Sequence, residues 1–342
     1  MTNPYAVVVP YEPRFTVSPH LLKTAEAIAA LREKILTATV QVPWIPTLQK
    51  EARVRNTHSS TAIEGNPLSL EEVRILEEGG PLPAATDRAR REVLNYFAGL
   101  RFIEKHRLKG AIRVEDVLRL HVVISTGAMD QGAAGKFRLI RVRVGGYIPP
   151  PPEEVPGLMA DLTTWWNKQA PKWSAVVSSA ILHYRFEEIH PFADGNGRTG
   201  RTLAPWELYR RGFDTHHIFS VDEYYWENRP RYYEMLAAVR EQDGDLSDWL
   251  EYSAEGLQLT LERVWDRVRR LEAVTGRPKL ILRPRQERLL QLLRERGAMS
   301  PREIWDTLGI SRQGAMDLLR PLLRAGVVKK VGTRKTGKYT IA

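Results

Sequence analysis

The chain has 342 residues, enough for two or three domains, and 43% of them are hydrophobic, as in an ordinary globular protein. It has no cysteine, which excludes disulfide bonds and thiolate metal sites. No apolar run approaches the ~20 residues that span a bilayer, and the N-terminus has no signal-peptide pattern. We therefore expect a cytoplasmic protein without a membrane partner.

The net charge of +10 is concentrated at one end of the chain. Residues 277–342 hold 16 of the 51 Lys and Arg residues but only 5 of the 41 Asp and Glu residues. The rest of the chain is close to neutral. This asymmetry favours a polyanionic partner for the C-terminal part.

Apolar spacing predicts helices through most of the first 271 residues. They are expected at 18–40, 48–63, from Ser69, and at 88–106, 114–125, 155–168, 174–190, 198–211, 230–240 and 246–271. Alternating residues before Gly145 and Gly146 predict a β-hairpin within 135–149. Gly276-Arg277-Pro278 is typical of a linker. These features predict an N-terminal helical region at 1–110, a central domain at 111–276 and a C-terminal domain at 277–342.

Residues 190–201 concentrate groups that bind and transfer phosphate, in the order His-Pro-Phe-Ala-Asp-Gly-Asn-Gly-Arg-Thr-Gly-Arg. Gly195 and Gly197 allow a turn whose N–H groups, backed by a helix N-terminus, form an anion site. Arg198 and Arg201 lie three residues apart on the following helix, and arginines suit phosphate oxygens.

The same segment supplies a carboxylate and a base. Asp194 could hold Mg²⁺ beside a polyphosphate, and His190 can take a proton near neutral pH. Glycines alone are commonly an ordinary turn. The whole set within twelve residues favours phosphoryl or nucleotidyl transfer.

The segment resembles, without departure, the signature of the Fic family: His-x-Phe-x-(Asp/Glu)-Gly-Asn-Gly-Arg-x-x-Arg. The similarity extends over most of residues 50–260. It implies a mainly α fold, a Fic-type helical bundle with the hairpin as a flap, and a catalytic domain at 111–276. It also implies a protein adenylyltransferase that moves AMP from ATP onto a Ser, Thr or Tyr hydroxyl of a target protein and releases pyrophosphate.

The resemblance also implies roles for individual residues. His190 would deprotonate the target hydroxyl, Asp194 would hold Mg²⁺, and Phe192 would anchor the loop by packing. The ATP contacts are expected at Asp194, Gly195, Asn196, Gly197, Arg198, Thr199, Gly200, Arg201, Tyr232 and Tyr233.

Residues 60–65, Ser-Thr-Ala-Ile-Glu-Gly, match the inhibitory motif of the same family. Ser60 and Glu64 are one helical turn apart. The implied role of Glu64 is to pair with Arg201 and so to occupy the arginine that the γ-phosphate needs. The sequence leaves open whether Glu64 also serves removal of AMP, and whether the chain forms a homodimer.

Residues 284–342 have the pattern of a winged helix-turn-helix: helices at 284–296, from Ser300 and from Arg312, then strands around a basic wing at 329–338. This predicts a small C-terminal domain that binds double-stranded DNA, with protein contact as the alternative, since winged helices serve both. Against that reading, Pro321 is expected to interrupt or kink the third helix, and Gly314 to weaken it.

Two alternatives to adenylyl transfer from ATP stay open. The first is a DNA-binding transcriptional regulator whose Fic domain only senses nucleotide, which would need the anion loop but not the base His190. The second is the same fold with another nucleotide or a phosphocholine donor. The target protein, its modified residue and the preferred base are not specified by the sequence.

Overall fold

A computed structural model describes residues 11–38, 45–107, 110–213, 215–275, 284–332 and 337–341. The chain divides into two compact units, Met1–Arg32 with Lys50–Arg263 and Glu33–Gln49 with Val264–Ala342. The predicted linker at 276–278 lies outside the described residues. The predicted three-domain division therefore stays a prediction.

The described residues up to Thr275 are mostly helical, which confirms the predicted mainly α class. The helices are α1 (Pro19–Ala38), α2 (Ile45–Ile63), α3 (Leu70–Glu77), α4 (Asp87–Lys105), α5 (Val114–Ser125), α6 (Val155–Lys168), α7 (Ala175–Ile189), α8 (Asn196–Arg210), α9 (Asp222–Glu227), α10 (Arg229–Glu241) and α11 (Ser247–Thr275).

Most helix ends lie within two or three residues of the predicted positions, because capping residues in the sequence mark where helices begin. Ser69 and Glu72 form the predicted capping box at the start of α3. Helix α2 starts three residues before the predicted position, since Pro46 is tolerated in a first turn. Helix α9 was not predicted, because six residues are too few to show a helical period.

The first unit is built around the close pair α7 and α8. Trp166, Trp206 and Trp249 are almost completely buried. Glu207 of α8 accepts hydrogen bonds from the Trp166 indole at 2.6 Å and from the Ser178 hydroxyl at 2.7 Å. This packing fixes the positions of α7 and α8, the two helices that the 190–201 segment joins.

The hairpin within 135–149, called the flap below, is smaller than the sequence predicts. Val144 and Tyr147 exchange two backbone hydrogen bonds of 2.9 Å around the turn at Gly145 and Gly146. No ladder extends back along residues 141–143, so the predicted alternating strand there is wrong. The reason is that, among the described residues, the side chains of 141–143 have no buried sheet face to pack against. Four apolar side chains of the segment are exposed: Leu139, Ile140, Val144 and Ile148.

The described part of the second unit ends in three helices and a two-stranded antiparallel sheet. These are α12 (Pro284–Arg296), α13 (Pro301–Leu308), α14 (Arg312–Arg324), β1 (Val328–Val331) and β2 (Lys338–Ile341). Val328 pairs with Ile341, and Leu289, Leu293, Ile304 and Leu319 lie in one buried cluster.

This order of elements is the one that a winged helix-turn-helix requires, and the assignment to that class stays a prediction. The expected interruption at Pro321 is wrong, because α14 continues through it. Pro321 lies near the helix end, where burial of Leu319 and Leu322 offsets one lost hydrogen bond. Gly314 is at the helix start, where its N–H donates to the Ser311 hydroxyl.

Candidate active site

The 190–201 segment forms a turn between α7 and α8. His190 ends α7 in the left-handed conformation, with φ 49° and ψ 59°, and Gly195 precedes α8 with φ 80°. Gly195 has no room for a larger residue, since a Cβ there would lie 2.4 Å from Ser125 Oγ. We call residues 190–197 the glycine loop.

Arg138, which lies just before the exposed part of the flap, holds the start of the glycine loop. Its guanidinium donates to the carbonyls of His190 at 2.8 Å and Ile189 at 3.3 Å, and also to Pro150. Its backbone N–H donates to Pro191 at 2.9 Å. The sequence analysis missed Arg138, because nothing in its neighbourhood distinguishes it from the other flap arginines.

His121 of α5 supports the middle of the loop and was also missed. Its ring stacks on Phe192 with centroids 3.6 Å apart. Gly135 N–H donates to Nδ1 at 2.9 Å, so the ring proton is on Nε2, which donates to the Asp194 carbonyl at 2.9 Å. Burial lowers the pKa of His121 to about 4, which keeps this ring neutral.

The Asn196 side chain closes the loop on itself. Its amide accepts from the Phe192 N–H at 2.9 Å and donates to the Phe192 carbonyl at 2.8 Å. Thr199 donates its hydroxyl to the Gly195 carbonyl, and Gly200 lies against the side chains of α7. These contacts give Asn196, Thr199 and Gly200 a role in loop geometry and packing, while their contact with ATP stays a prediction.

Asp194 and Arg198 lie side by side at the start of α8. The Asp194 carboxylate accepts from Gly195 N–H at 2.6 Å and Asp130 N–H at 3.0 Å, and Arg198 Nη2 lies 3.4 Å away. Arg198 is buried, and within the described structure its Nε and Nη1 have no hydrogen-bond partner. Buried donors in this state are what a bound anion would satisfy.

Asp194 was the predicted magnesium ligand. Its carboxylate is partly exposed and keeps free lone pairs. Among the described residues no group of three or more His, Asp or Glu side chains could hold a metal ion. A single carboxylate fits a Mg²⁺ ion whose other ligands are water and substrate phosphate.

Glu64, at the end of α2, reaches the glycine loop. Its Oε1 lies 2.7 Å from Arg201 Nη2, the contact that the resemblance implies. A Cβ on Gly197 would lie 2.1 Å from the same oxygen, so the carboxylate rests directly on the loop backbone. Ser60 accepts from Arg201 Nε at 2.8 Å through its hydroxyl and from Nη2 at 2.9 Å through its carbonyl.

Arg201 is almost completely buried and has a second acidic neighbour, Asp222, at 3.9 Å. Asp222 in turn accepts from the Tyr96 hydroxyl at 2.7 Å. Burial raises the pKa of Glu64, but Arg201 outweighs it and holds that pKa below its ordinary value. Burial raises the pKa of Asp222 to about 6 against the opposing charge of Arg201. Both carboxylates are therefore mostly ionised at pH 7, and Glu64 is the one in close contact with Arg201.

The His190 imidazole lies at the mouth of the loop. Burial lowers its pKa to about 4, although the Glu187 carbonyl and the Glu64 charge raise it. The ring is therefore neutral at pH 7, the state that a general base requires.

An open cleft collects part of the predicted site. It encloses about 1170 Å³ of empty space, open solvent included. Its lining includes six predicted residues, namely Glu64, His190, Gly197, Arg201, Tyr232 and Tyr233. Glu187, Arg229 and Arg240 also line it and were not predicted. Ser60, Asp194, Gly195, Asn196, Arg198, Thr199 and Gly200 are not part of this lining.

The two predicted tyrosines differ in their surroundings. Tyr232 is buried, and its hydroxyl lies 3.1 Å from His183 Nε2. Tyr233 is 39% exposed, stacks beside Arg229 and donates to the Ile63 carbonyl at 3.3 Å. Tyr233 is thus the one whose ring a ligand in the cleft can readily contact.

An anion loop, a neutral imidazole and a buried arginine around one cleft define a candidate phosphate-transfer site. Residues 111–208 match the model of the Fic/DOC family. Over these residues the chain is therefore similar to the Fic/DOC family.

Curated relatives are similar to this chain over about two thirds of its length. "Protein adenylyltransferase Fic" of Aedes aegypti is 33% identical over 218 residues, and "Protein adenylyltransferase fic-1" of Caenorhabditis briggsae is 34% identical over 221. Each alignment covers 63% of this chain and only 42% of the relative. The chain thus spans less than half the length of these curated relatives.

Solved structures share the fold. A Fic family protein from Desulfovibrio desulfuricans G20 has a TM-score of 0.67 and 25% identity, covering 97% of this chain and 98% of its own. Fic-1 (residues 134–508) from C. elegans has a TM-score of 0.63 and 28% identity, covering 74% of this chain and 73% of its own.

Proposed function

We propose that this protein is an adenylyltransferase that moves AMP from ATP onto a Ser, Thr or Tyr hydroxyl of a target protein, and that Glu64 inhibits it. The observation that carries the proposal is the position of Glu64. Its carboxylate lies on Gly197 and pairs with Arg201 in the cleft that contains the neutral His190. The names of the similar proteins, given above, agree with this activity.

The reaction follows from the groups around the cleft. His190 Nε2 takes the proton of the target hydroxyl as its oxygen attacks the α-phosphorus of ATP. A new oxygen–phosphorus bond forms, the bond to the β-phosphate oxygen breaks, and pyrophosphate leaves. A general base of this kind contributes roughly 10²–10⁴-fold.

Phosphate charge is countered by groups that the fold has already ordered. Arg198 has buried N–H groups without a hydrogen bond in the described structure, although its Nη1 lies 3.6 Å from Glu92. Gly197 is in the first turn of α8, the helix whose N-terminus favours anions. Mg²⁺ on Asp194 would neutralise further charge on the triphosphate. Such preordered charge is commonly the largest contribution to this chemistry.

Glu64 inhibits by competing with the γ-phosphate of ATP for the same binding position beside Arg201. Glu64 and a γ-phosphate are both anions, and both suit Arg201 and the N–H groups beside Gly197. While Glu64 is paired with Arg201, the γ-phosphate of a triphosphate is repelled by the Glu64 carboxylate and cannot bind the Arg201 guanidinium. Removing the Glu64 carboxylate should free the arginine and leave its second neighbour, Asp222, in place.

The test compares variants with ATP labelled at the α-phosphate, incubated with cell lysate. Glu64→Gly is expected to raise protein-linked label at least tenfold over the unaltered chain, and Glu64→Gly with His190→Ala to abolish it. Glu115→Gly is the matched control, because it removes an exposed glutamate from α5 and should leave labelling unchanged.

Two outcomes separate the parts of the proposal. Equal labelling by Glu64→Gly and the unaltered chain would show that Glu64 is not inhibitory. Label that survives His190→Ala would exclude His190 as the base. The absence of label with any nucleoside triphosphate would exclude the enzyme and favour the nucleotide-sensing alternative. Labelling by a triphosphate other than ATP would change the donor and keep the mechanism.

We also propose that residues 284–342 bind duplex DNA. The observation behind this second function is the set of exposed cations on α14 and the β1–β2 sheet. They are Arg312, Arg320, Arg324, Lys329, Lys330 and Lys338. Asp317 is the one acidic residue within α14. Excess positive charge on one small unit is the electrostatic footprint of phosphate binding.

A further inference from the structure

Glu187 lies in the last turn of α7, three residues before His190, and lines the same cleft. Its Oε2 is 3.7 Å from Nδ1 of the imidazole, and the two side chains are 10% and 17% exposed. A carboxyl group thus faces Nδ1, the ring nitrogen that does not take the proton from the target hydroxyl. No sequence motif marked this residue.

Two buried polar atoms of this pair have no hydrogen bond in the described structure. They are His190 Nδ1 and Glu187 Oε1, which is the second oxygen of the carboxyl whose Oε2 faces the ring. Buried polar atoms are almost always paired, and catalytic hydrogen bonds often shorten only when substrate binds. A shift of less than 1 Å would close the contact between the carboxyl and the ring.

Glu187 fits against α8 because residue 200 is a glycine and has no side chain. A Cβ on Gly200 of α8 would lie 2.2 Å from Glu187 Oε1. Any larger residue there would push the carboxyl away from its present place. The close approach of α7 and α8 therefore keeps Glu187 beside the imidazole.

We propose that Glu187 is a positioning residue: its carboxyl accepts the Nδ1–H of His190 and leaves Nε2 unprotonated toward the target hydroxyl. The proposal rests on the proposed function in taking His190 as the base. A base whose second nitrogen is held by an acceptor keeps one tautomer and one ring orientation. The Glu187 carbonyl, which also acts on the ring, is the competing acceptor.

The contact does not require a charged carboxylate. Burial, with a smaller contribution from the charge of Glu64, raises the pKa of Glu187 to about 8 against the opposing charges of Arg201 and Arg240. At pH 7 the group is therefore mostly protonated, and a protonated carboxyl still offers a carbonyl oxygen as acceptor. Glutamine should then replace Glu187, whereas an apolar side chain should not.

The kinetic test uses the full chain with Glu64→Gly, into which Glu187→Met, Glu187→Gln and Glu188→Gln are added. Glu187→Met keeps the length of the side chain and removes the acceptor, so kcat is expected to fall about 10–100-fold, with KM for ATP unchanged. Glu187→Gln should keep kcat within about threefold, since its amide oxygen still accepts. Glu188, whose carboxylate binds Arg185 at 2.5 Å, is the matched control on the same turn.

A second readout does not depend on transfer activity. Proton–nitrogen NMR of ¹⁵N-histidine protein at pH 7, with the His190→Ala spectrum for assignment, reports which ring nitrogen carries the proton. We expect Nδ1–H in the unaltered chain and in Glu187→Gln, and a shift toward Nε2–H in Glu187→Met.

Each result then decides one question. Unchanged kcat and tautomer in Glu187→Met would overturn the proposal and assign the role to the backbone carbonyl. An Nε2–H tautomer in the unaltered chain would overturn it even if Glu187→Met fails to fold. The expected tautomers without any labelling by Glu64→Gly would support the positioning role and reject adenylyl transfer.

Discussion

At the scale of single residues, the backbone conformation of the site depends less on the reacting groups than on other side chains that hold the loop in place. His190 adopts a positive φ, which costs a non-glycine residue of order 1 kcal/mol or more. Arg138 offsets that cost with donors to the carbonyls of Ile189 and His190. The conformation that presents the imidazole is thus maintained by a residue more than fifty positions away.

Replacing Arg138 by methionine should therefore destabilise the protein and abolish transfer. Several carbonyls would lose a charged donor, and each unsatisfied buried group costs about 1–3 kcal/mol. We expect a loss of about 3 kcal/mol in the free energy of unfolding, measured by urea denaturation. Arg141→Met, at an exposed flap position, should change it by less than about 0.5 kcal/mol. Similar losses for both variants would contradict this role of Arg138.

At the scale of elements, the pair α7 and α8 determines which groups meet in the cleft. Gly200 lets the helices approach, so that Glu187 on one and Arg201 on the other share a single buried region. Helix α2 brings Glu64 to the same place from more than a hundred residues earlier. The contact proposed to be inhibitory is therefore a contact between elements and not a property of the 60–65 segment.

Two glycine-to-alanine changes test this packing with opposite signs. Gly200→Ala should cost about 1–3 kcal/mol, because its Cβ meets Glu187 Oε1 at 2.2 Å and the Phe186 ring at 3.1 Å. Gly157→Ala in α6 meets nothing within 4 Å and should stabilise by about 0.5–1 kcal/mol through helix propensity. Thermal or urea unfolding measures both. A stabilising Gly200→Ala would show that the α7–α8 contact adjusts without cost.

At the scale of the whole molecule, charge is divided between a nearly neutral main part and a basic end. Residues 277–342 hold 16 basic and 5 acidic residues. Among the described residues, none of the helices is long and apolar enough to cross a membrane. A polyanion is thus the partner that this distribution favours for the C-terminal part.

Binding of the full chain to random duplex DNA should weaken steeply with salt. Each neutralised phosphate contributes about 0.9 to the slope of log K against log salt. Arg312→Gln, Arg320→Gln and Lys330→Gln together should therefore lower the slope by about 2–3. The control changes Lys23, Lys105 and Lys172, exposed lysines of the first unit, to glutamine and should leave it unchanged. Affinity independent of salt would refute phosphate-driven contact.

Much of this architecture could be predicted because its signals are local. The glycine loop is contiguous in sequence, and its glycines and charges act within one turn of chain. Helix ends such as Ser69 and Ser300 carry their caps beside them, so their starts were read correctly. The pairing of Glu64 with Arg201 was anticipated from the resemblance and not from spacing.

The sequence by itself determined the mainly helical class, the position of the glycine loop and the basic C-terminal end. The tertiary structure alone decided that Arg138 and His121 support the loop, that Glu187 faces the imidazole, and that Tyr233 is exposed while Tyr232 is buried. These contacts join side chains distant in sequence, and whether two such groups meet depends on how helices pack. Local preference and periodicity carry no information about that packing.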